Sequence, residues 1–410
     1  MIRILALNCG SSSLKFKLIQ IHNAKKGKPN EQSVIEGLVE NIGKEGIFHL
    51  REVAREEIRK PVTISDHGDA MSLVLDSLRE KGYFEKSRID ALGHRVVHGG
   101  DRFVGPTLID NEVIDRLEAL SFLAPLHNPP CLKGIKTAKE ILKASLPQVA
   151  VFDTAFHTSL PEQASHYAIP YSLAEKNRIR RYGFHGLAHS YMAERFSSMT
   201  STPLDKVRII TLQLGNGCSA AAIQDGRSID TSMGFTPLEG LMMGTRAGDM
   251  DPYLPGFLMR QEKMGIDEAE EILNKKSGLL GVSGLSSDMR VLLEAEEGGN
   301  RRAALAMSMF CYRIRKYIGA YLAVLNGAQA VIFGGGIGEN APTIRSRICS
   351  GFEWCGLIMD PIRNKEVIGT EGHISSKTAK IHVYVVPVDE TLIIAKETYQ
   401  FLYEKSSMSR

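Results

Sequence analysis

Residues 4–19 read ILALNCGSSSLKFKLI, an apolar run that breaks into glycine and three serines and then resumes with alternating apolar residues. This pattern predicts a strand, a tight polar turn and a second strand. The turn exposes backbone N–H groups and hydroxyls with little bulk, and Lys15 adds a positive charge, so it suits a phosphate group. An ordinary surface hairpin is the alternative, because the spacing is not that of a Walker phosphate loop.

A second hairpin of the same outline follows in the other half of the chain, where residues 207–223 read VRIITLQLGNGCSAAAI. Helical and strand patterns alternate after each hairpin. The predicted helices are 70–81, 111–120, 132–144, 187–197, 267–275, 301–326 and 391–404, and the further strands are 89–97, 148–152, 330–333 and 381–386. The order predicts an α/β protein of two duplicated domains with an active cleft between them, unless the two hairpins are alike by coincidence.

The composition favours a globular protein with room for roughly two or three domains, since 43% of the 410 residues are hydrophobic and 24% are charged. A net charge of +3 with no basic run argues against nucleic acid as a partner. The uncharged stretch 317–338 is interrupted by polar residues and glycines, so it predicts a buried helix and strand and not a membrane span.

The six cysteines show neither Cys-x-x-Cys nor metal-ligand spacing, which predicts reduced thiols in a cytoplasmic protein. The apolar run before Asn8 is also shorter than that of a signal peptide.

Three arginines occur in glycine-rich or histidine-rich settings, namely Arg95, Arg246 and Arg290. An arginine fork binds carboxylate or phosphate groups and stabilises charge in phosphoryl transfer. A structural salt bridge is the alternative for each. His127, His157 and His185 are similarly placed, with a hydrogen-bonded core histidine as the alternative. Their scatter does not indicate a metal site.

Asp153 and Glu390 each follow an apolar strand, where a carboxylate can hold Mg²⁺ with several waters retained. Asp389 also suits an N-cap, and both interpretations can hold together. Residues 333–340 read FGGGIGEN after another predicted strand. The glycines permit either a close approach of a nucleotide or a purely structural turn.

Taken together, these motifs resemble the acetokinase family, within the actin-like, sugar-kinase and Hsp70-type ATPase superfamily. The matching stretches extend over essentially the whole chain and are 8–15, 94–100, 125–129, 152–157, 181–186, 231–246 and 336–340. The resemblance implies two actin-like, ribonuclease H-like domains. Residues 1–153 with 391–410 would form the N-terminal domain, and residues 154–390 would form the C-terminal domain that carries the nucleotide-binding segments.

The resemblance also implies the reaction, a reversible and Mg²⁺-dependent in-line transfer of phosphoryl from ATP to acetate that gives acetyl phosphate and ADP. Mn²⁺ is an alternative metal, and propionate is an alternative acceptor. The expected protein is a cytoplasmic homodimer with no nucleic-acid or membrane partner. A non-catalytic nucleotide-binding protein of the same fold is the rival from another class.

The family's functional positions map onto this sequence residue by residue. The implied catalytic residues are Arg95, Asp153, His185 and Arg246, with Asn8 and Glu390 at the metal. Acetate would be bound by Arg95, Val97, Leu126, His127, Phe184 and Pro237. The nucleotide would be bound by Ser11, Ser13, Lys15, Gln213, Leu214, Gly215, Asn216, Gly217, Asp288, Met289, Arg290, Gly335, Gly336, Ile337, Gly338 and Asn340.

Two departures from the family pattern concern this site. Gln213 stands where the family usually has histidine, and glutamine can donate a hydrogen bond but cannot become cationic. Residues 388–391 read VDET, whereas the family more often has Thr, Asn or Asp, Glu and Glu there.

Overall fold

The computed structural model describes residues 1–10, 12–22, 30–52, 57–84, 88–125, 127–142 and 146–404. The strands of these residues form two sheets. They are β1 (Ile2–Cys9), β2 (Leu14–His22), β3 (Asn30–Glu40), β4 (Glu45–Glu52), β5 (Ile58–Thr63), β6 (Ala91–Val96), β7 (Thr107–Leu108), β8 (Gln148–Phe152), β9 (Arg208–Leu214), β10 (Cys218–Gln224), β11 (Arg227–Thr231), β12 (Ala330–Gly334), β13 (Gly372–His373) and β14 (His382–Val385).

The helices alternate with these strands, as the sequence predicts for the α/β class. They are α1 (His67–Glu80), α2 (Asn111–Ala119), α3 (Asn128–Leu142), α4 (Glu162–Ser165), α5 (Tyr171–Asn177), α6 (Gly186–Thr200), α7 (Tyr253–Gln261), α8 (Ile266–Lys275), α9 (Gly278–Ser283), α10 (Met289–Glu297), α11 (Arg301–Val324), α12 (Gly335–Asn340), α13 (Pro342–Cys349), α14 (Pro361–Glu366) and α15 (Glu390–Tyr399). No helix of the described residues is long and apolar enough to cross a membrane.

The chain divides into two compact units, Met1–Ala155 with Asp389–Arg410, and Phe156–Val388. The second break therefore falls before Asp389, so Glu390 belongs to the first unit, whereas the sequence-based division placed it in the C-terminal domain.

The first unit contains a sheet in the order β5-β4-β3-β2-β1-β6-β8-β7. β1 pairs antiparallel with β2, which confirms the predicted hairpin, and it pairs parallel with β6. One core cluster joins Leu7 and Phe16 of the sheet to Met71 of α1 and Ala138 of α3. Helix α15 packs on β6 so closely that a Cβ at Gly93 would lie 2.3 Å from Thr398 Oγ1.

The second unit contains a sheet in the order β11-β10-β9-β12-β14-β13. The second predicted hairpin is confirmed by the antiparallel register of β9 and β10, and β12 lies parallel to β9. Met192 and Phe196 of α6 pack in one core cluster with Ile209 and Ile332 of these strands. This contact fixes the height of α6 over the sheet and hence the position of the residue before it, His185.

Several helix boundaries differ from the prediction, since α1 begins at His67 and not at residue 70, and α6 ends at Thr200 and not at residue 197. Helix α3 begins at Asn128 and not at residue 132, because proline is tolerated in a first turn that needs no N–H donors, as at Pro129 and Pro130. Its predicted last residues, 143 and 144, lie outside the described part of the chain. The glycine-rich stretch after β12 forms the short helix α12 and not a turn.

Candidate active site

The first unit collects polar side chains where three neighbouring parallel strands end. Asn8 of β1 lies opposite Arg95 of β6 in the register, Arg95 lies opposite Val151 of β8, and Asp153 follows β8 directly. The carboxyl ends of parallel strands share one edge of a sheet, which is where open α/β sheets bind ligands. Asp153 follows its strand as the sequence predicts, Arg95 lies within the strand predicted over 89–97, and the parallel pairing of β6 and β8 brings the two together.

Arg95 is held by hydrogen bonds from both of its terminal nitrogens. Nη1 donates to Asn8 Oδ1 at 3.0 Å, and Nη2 donates to Asp153 Oδ2 at 2.5 Å. Asp153 is only 1% exposed. Burial alone would lower the pKa of Arg95, but the carboxylates of Asp153 and Glu390 outweigh it and raise that pKa above its usual value. Arg95 is therefore a permanent cation in a fixed orientation.

One donor of Arg95 is left over. Its Nε is buried and has no hydrogen-bond partner among the described residues. A buried donor without a partner costs free energy, and such groups mark places where a ligand atom completes the set. Arg95 can therefore donate from Nε to an anionic oxygen of a ligand in addition to its protein partners.

Glu390 is the first residue of α15 and reaches the same strand edge. Its Oε2 accepts a hydrogen bond from Asn8 Nδ2 at 2.7 Å and lies 3.9 Å from Arg95 Nη1. No hydrogen bond from the described residues reaches its Oε1. These residues contain no cluster of three or more acidic, His or Cys side chains that could hold a metal by itself. Mg²⁺ needs no such cage, because it keeps waters and uses one or two carboxylates with substrate phosphates, so Asn8 and Glu390 fit it.

The start of α15 is anchored by a residue that sequence reasoning missed. Lys17 Nζ lies 2.6 Å from Asp389 Oδ2 and 3.2 Å from Glu36 Oε2. Asp389 caps the helix through Leu392 N at 3.2 Å, so the capping interpretation of Asp389 is confirmed. The only signal in the sequence is the alternation of Lys15 and Lys17 along β2.

The segment after Arg95 is held by a second missed residue. Asn128 Oδ1 accepts from His98 N at 3.1 Å, and Asn128 Nδ2 donates to His98 O at 3.0 Å. Asn128 is fully buried, and this pair of bonds fixes the backbone beside Val97, which is 5% exposed. His127 precedes α3 and is half-buried, while Leu126 lies outside the described residues.

Ser11, Ser13 and Lys15 of the first hairpin are the remaining residues that the resemblance assigns to the phosphates. Gly10 N donates to Ser13 O at 2.8 Å, which closes the turn. Lys15 is exposed and lines a groove of about 310 Å³ with Glu36, His49 and Arg51. Ser11 lies outside the described residues.

The second unit contains its own group around the turn between β9 and β10. A Cβ at Gly217 would lie 3.4 Å from His185 Nε2 and 3.7 Å from Arg246 Nη1. Both side chains therefore face the same backbone position. Asn216 meets the loop of Arg246 so closely that a Cβ at Gly244 would lie 2.1 Å from Asn216 Oδ1, and Gly244 N donates to Asn216 O at 2.9 Å.

Arg246 differs from Arg95 in lacking a carboxylate. Its Nη1 donates to Pro237 O at 3.4 Å, and among the described residues no Asp or Glu forms an ion pair with it. Burial lowers its pKa, which Cys218 offsets only in part. A desolvated cation without a counterion is unfavourable in the free protein. Arg246 is consequently poised to bind an anion.

Contacts of Arg181 and Tyr167 fix the loop that carries Pro237. Arg181 Nη2 contacts Glu239 Oε1 at 2.6 Å, and Tyr167 donates to the other oxygen of Glu239. Tyr167 also accepts from Phe235 N at 2.7 Å. Phe184 is buried at 1% exposure beside His185 in the chain, and its carbonyl contacts His157 Nε2 at 3.0 Å. His157 therefore has the structural role that was the alternative in the sequence.

A cavity of about 600 Å³ opens beside Asn216 in the second unit. Its size lies in the range of small-molecule sites. Its lining includes eight of the residues that the resemblance assigns to the nucleotide, which are Gly215, Asn216, Asp288, Met289, Arg290, Gly336, Ile337 and Asn340. Ser287, Leu293 and Ala341 also line it and were missed. Gly335, Gly338 and Leu214 are buried and do not belong to the lining.

Arg290 is tied to the rim of this cavity. Its Nη2 lies 2.6 Å from Asp288 Oδ2, and Asp288 caps α10. The guanidinium of Arg290 lowers the pKa of Asp288, so this carboxylate stays ionised. Asp288 offers a carboxylate acceptor and Arg290 offers a planar guanidinium to a ligand in the cavity.

Gln213, the departure from the family pattern, is the penultimate residue of β9 and lies opposite Gly334 of β12 in the register. Its Oε1 is buried and makes no hydrogen bond within the described residues. A Cβ at Gly334 would lie 3.2 Å from this oxygen, so the amide of Gln213 packs against the backbone at the end of β12.

The chain is similar to known proteins over nearly its whole length. The sequence model described as the Acetokinase family matches residues 3–396. The acetate kinase of Chloroherpeton thalassium is 47% identical over 414 aligned positions, which cover 98% of this chain and 99% of the relative.

Two solved structures are similar over nearly the full length. The acetate kinase of Porphyromonas gingivalis has a TM-score of 0.89 at 43% identity, covering 98% of this chain and 100% of that one. A propionate kinase from Francisella tularensis subsp. tularensis has a TM-score of 0.88 at 40% identity, covering 97% and 99% of the two chains.

Proposed function

The chain belongs to the acetokinase family, whose structures have the two-domain actin-like ATPase fold, and from this premise we propose how its residues carry out the reaction. The protein is an ATP-dependent carboxylate kinase that transfers a phosphoryl group between ATP and acetate. Acetyl phosphate and ADP are the products. Propionate is a minor alternative acceptor.

One observation carries the assignment of the transfer step: the half-buried Arg246 has no carboxylate partner and faces Gly217 together with His185 Nε2. The phosphoryl group in flight spreads negative charge over three equatorial oxygens. Donors that already point at this position stabilise the transition state without reorganising. We therefore assign Arg246 and His185 to the transferring phosphoryl group.

Arg95 is assigned to the acetate carboxylate and the phosphoryl group, and Asp153 is assigned to orient it. The support is the short Arg95–Asp153 bond together with the partnerless Nε, because a guanidinium fixed on one side has its remaining donors aimed in one direction. Acetate is ionised near neutral pH and attacks as a carboxylate. The step needs positioning and positive charge more than a general base.

Asn8 and Glu390 are assigned to Mg²⁺ through its water shell, or to Mn²⁺ in its place. When bound, the ion neutralises charge on the β- and γ-phosphates of ATP. The support is the fixed pair Asn8 Nδ2 to Glu390 Oε2 at 2.7 Å, which leaves one carboxylate oxygen of Glu390 available.

The nucleotide is assigned to the cavity beside Asn216, with Asp288 and Arg290 toward the ribose and adenine and Gly215–Gly217 toward the phosphates. Ser11, Ser13 and Lys15 are assigned to the phosphates as well. The methyl group of acetate is assigned to Val97, Leu126, Phe184 and Pro237, with His127 nearby. These last assignments rest on the resemblance.

Acetate is expected to be the preferred acceptor. One methylene is worth about 1–3 kcal/mol of discrimination, so kcat/KM for acetate should exceed that for propionate by roughly tenfold or more. Val97 lies in a backbone segment that the two hydrogen bonds of Asn128 to His98 hold in place. Initial rates with acetate, propionate and butyrate measure the order, and Val97→Ala should shift it toward propionate. Equal or better kcat/KM for propionate in the unmodified enzyme contradicts the assignment.

Gln213→His is expected to change the KM for ATP more than kcat. An imidazole adds a donor that can become cationic beside the phosphate loop, and a contact of equal strength in ground and transition states alters KM alone. Steady-state kinetics with ATP as the varied substrate give the split. A large gain in kcat would instead mean that glutamine at this position impairs the transfer step.

The proposed reaction is tested by ³¹P NMR of the enzyme with ATP, Mg²⁺ and acetate. An acyl phosphate resonance should grow as ADP forms, and the same equilibrium should be reached from acetyl phosphate and ADP. ADP formation that does not depend on acetate contradicts the proposal.

We also propose that the protein is a cytoplasmic homodimer. All six cysteines are free thiols, as expected in a reducing compartment. Tyr171 of α5 and Tyr253 and Phe257 of α7 are exposed apolar side chains, which fit a contact with a second copy.

A further inference from the structure

A buried hydrogen-bond chain runs behind His185. Thr211 Oγ1 of β9 lies 2.7 Å from His189 Nδ1 of α6. His189 Nε2 lies 2.7 Å from Ser219 Oγ of β10, and Ser219 Oγ lies 2.9 Å from His185 Nδ1. Thr211, His189 and Ser219 are each 0% exposed, so water does not compete for these bonds. None of the three residues has a role in the site as assigned above.

The central histidine of this chain is neutral. Burial lowers the pKa of His189 well below the usual histidine value, and the nearby His157 and His185 lower it further. A neutral imidazole donates from one nitrogen and accepts at the other. His189 therefore donates either to Ser219 or to Thr211, but not to both.

The hydroxyl proton of Thr211 decides which partner donates in each hydrogen bond of the chain. Among the described residues, His189 Nδ1 is the only hydrogen-bond partner of Thr211 Oγ1. If His189 donated to Thr211, the buried Thr211 hydroxyl would keep a proton without an acceptor, which costs free energy. If Thr211 donates to His189, every proton of the chain finds an acceptor.

The hydroxyl proton of Ser219 must find an acceptor in the same way. With Thr211 donating to Nδ1, His189 carries its proton on Nε2 and donates to Ser219 Oγ. The partners of Ser219 Oγ among the described residues are the two rings of His189 and His185, so its own proton goes to His185 Nδ1. His185 must then accept at Nδ1 and carry its proton on Nε2.

We propose that Thr211, His189 and Ser219 are positioning residues whose hydrogen-bond chain fixes His185 as the neutral tautomer with its proton on Nε2. The significance rests on the proposed function, because the ring edge of Cε1 and Nε2 faces Gly217 beside Arg246, and Nε2 is the nitrogen on that edge. A neutral donor there binds a phosphoryl oxygen without placing a second cation next to Arg246. No proton is transferred in this role, so the chain acts by orientation alone.

The direct test is ¹⁵N NMR of the full-length enzyme labelled on histidine, with the His185 signals identified by their loss in His185→Asn. We expect a pyridine-type Nδ1 and a pyrrole-type Nε2 for His185. A proton on Nδ1, whether in the other tautomer or in the imidazolium form, overturns the inference. This readout does not depend on activity.

The kinetic test uses Ser219→Ala, which removes the donor to His185. We expect kcat to fall at least about tenfold with the KM values for ATP and acetate within about twofold, since only the transition state gains from the fixed donor. The matched control is Ser228→Ala, which removes a fully buried serine hydroxyl 2.8 Å from His157 Nδ1 and should leave kcat within about twofold. Equal losses of kcat in both variants overturn the inference.

Thr211→Val gives a second route if Ser219→Ala does not fold. It keeps the shape of the side chain but removes the first proton of the chain, so His185 should populate both tautomers in the ¹⁵N spectrum. An unchanged tautomer overturns the role of Thr211 in the chain. Conversely, the Nε2–H tautomer in an enzyme that makes no acetyl phosphate supports the inference and contradicts the proposed function.

Discussion

Replacing Arg246 with Ala is expected to lower kcat by at least about 10²-fold, as for other donors aimed at charge that develops in a transition state. The stability of the fold, in contrast, is not expected to fall. Arg246 is desolvated without a carboxylate partner, so its removal should leave the free energy of unfolding unchanged or slightly higher. Activity and stability thus separate at this residue.

Two measurements check this expectation, namely steady-state kinetics and denaturant unfolding of the same preparation. Arg227→Ala is the matched control, because Arg227 is an exposed arginine at the start of β11 in the same unit. Its kcat should be that of the unmodified enzyme. A loss of kcat below tenfold in Arg246→Ala, or a large loss of stability, contradicts the role assigned to Arg246.

Replacing Arg95 with Ala is expected to damage both activity and fold. The reaction loses the cation assigned to acetate and phosphoryl, so kcat should again fall by at least about 10²-fold. In addition, Asp153, which is 1% exposed in the unmodified protein, loses its counterion. Removing one partner of a buried ion pair costs about 3–5 kcal/mol, which should appear as a lower free energy of unfolding.

A double variant separates the two losses. Arg95→Met with Asp153→Leu removes both charges, and a buried pair replaced by apolar side chains is often neutral for stability. We expect the double variant to regain most of the stability that Arg95→Ala loses and to remain inactive. Recovery of activity along with stability would mean that Arg95 only supports the fold.

The residues that the sequence predicted best are those that a strand places directly. Asp153 follows β8 and Arg95 is the penultimate residue of β6, and the parallel pairing of these neighbouring strands is enough to bring them together. The two hairpins are confirmed for a similar reason, because a glycine-rich turn between alternating apolar runs specifies its own register.

The residues that the sequence missed act through contacts between elements that are distant in the chain. Ser219 and His189 meet only because α6 packs at a particular height on β9, and no periodic pattern encodes that height. Asn128 lies outside the helix that the sequence predicts over 132–144, yet it opens α3 and holds the backbone of His98. Such polar pairs depend on tertiary packing, which propensity and spacing do not report.

The most direct test of the account is to trap the product with hydroxylamine. The enzyme is incubated with ATP, Mg²⁺, acetate and hydroxylamine, and acetyl hydroxamate is measured beside ADP, with Arg246→Ala as the matched sample. We expect hydroxamate equal to the ADP formed in the unmodified enzyme, and at least about 100-fold less in the variant. The absence of hydroxamate from an enzyme that still binds ATP, or equal yields from both proteins, would contradict this expectation.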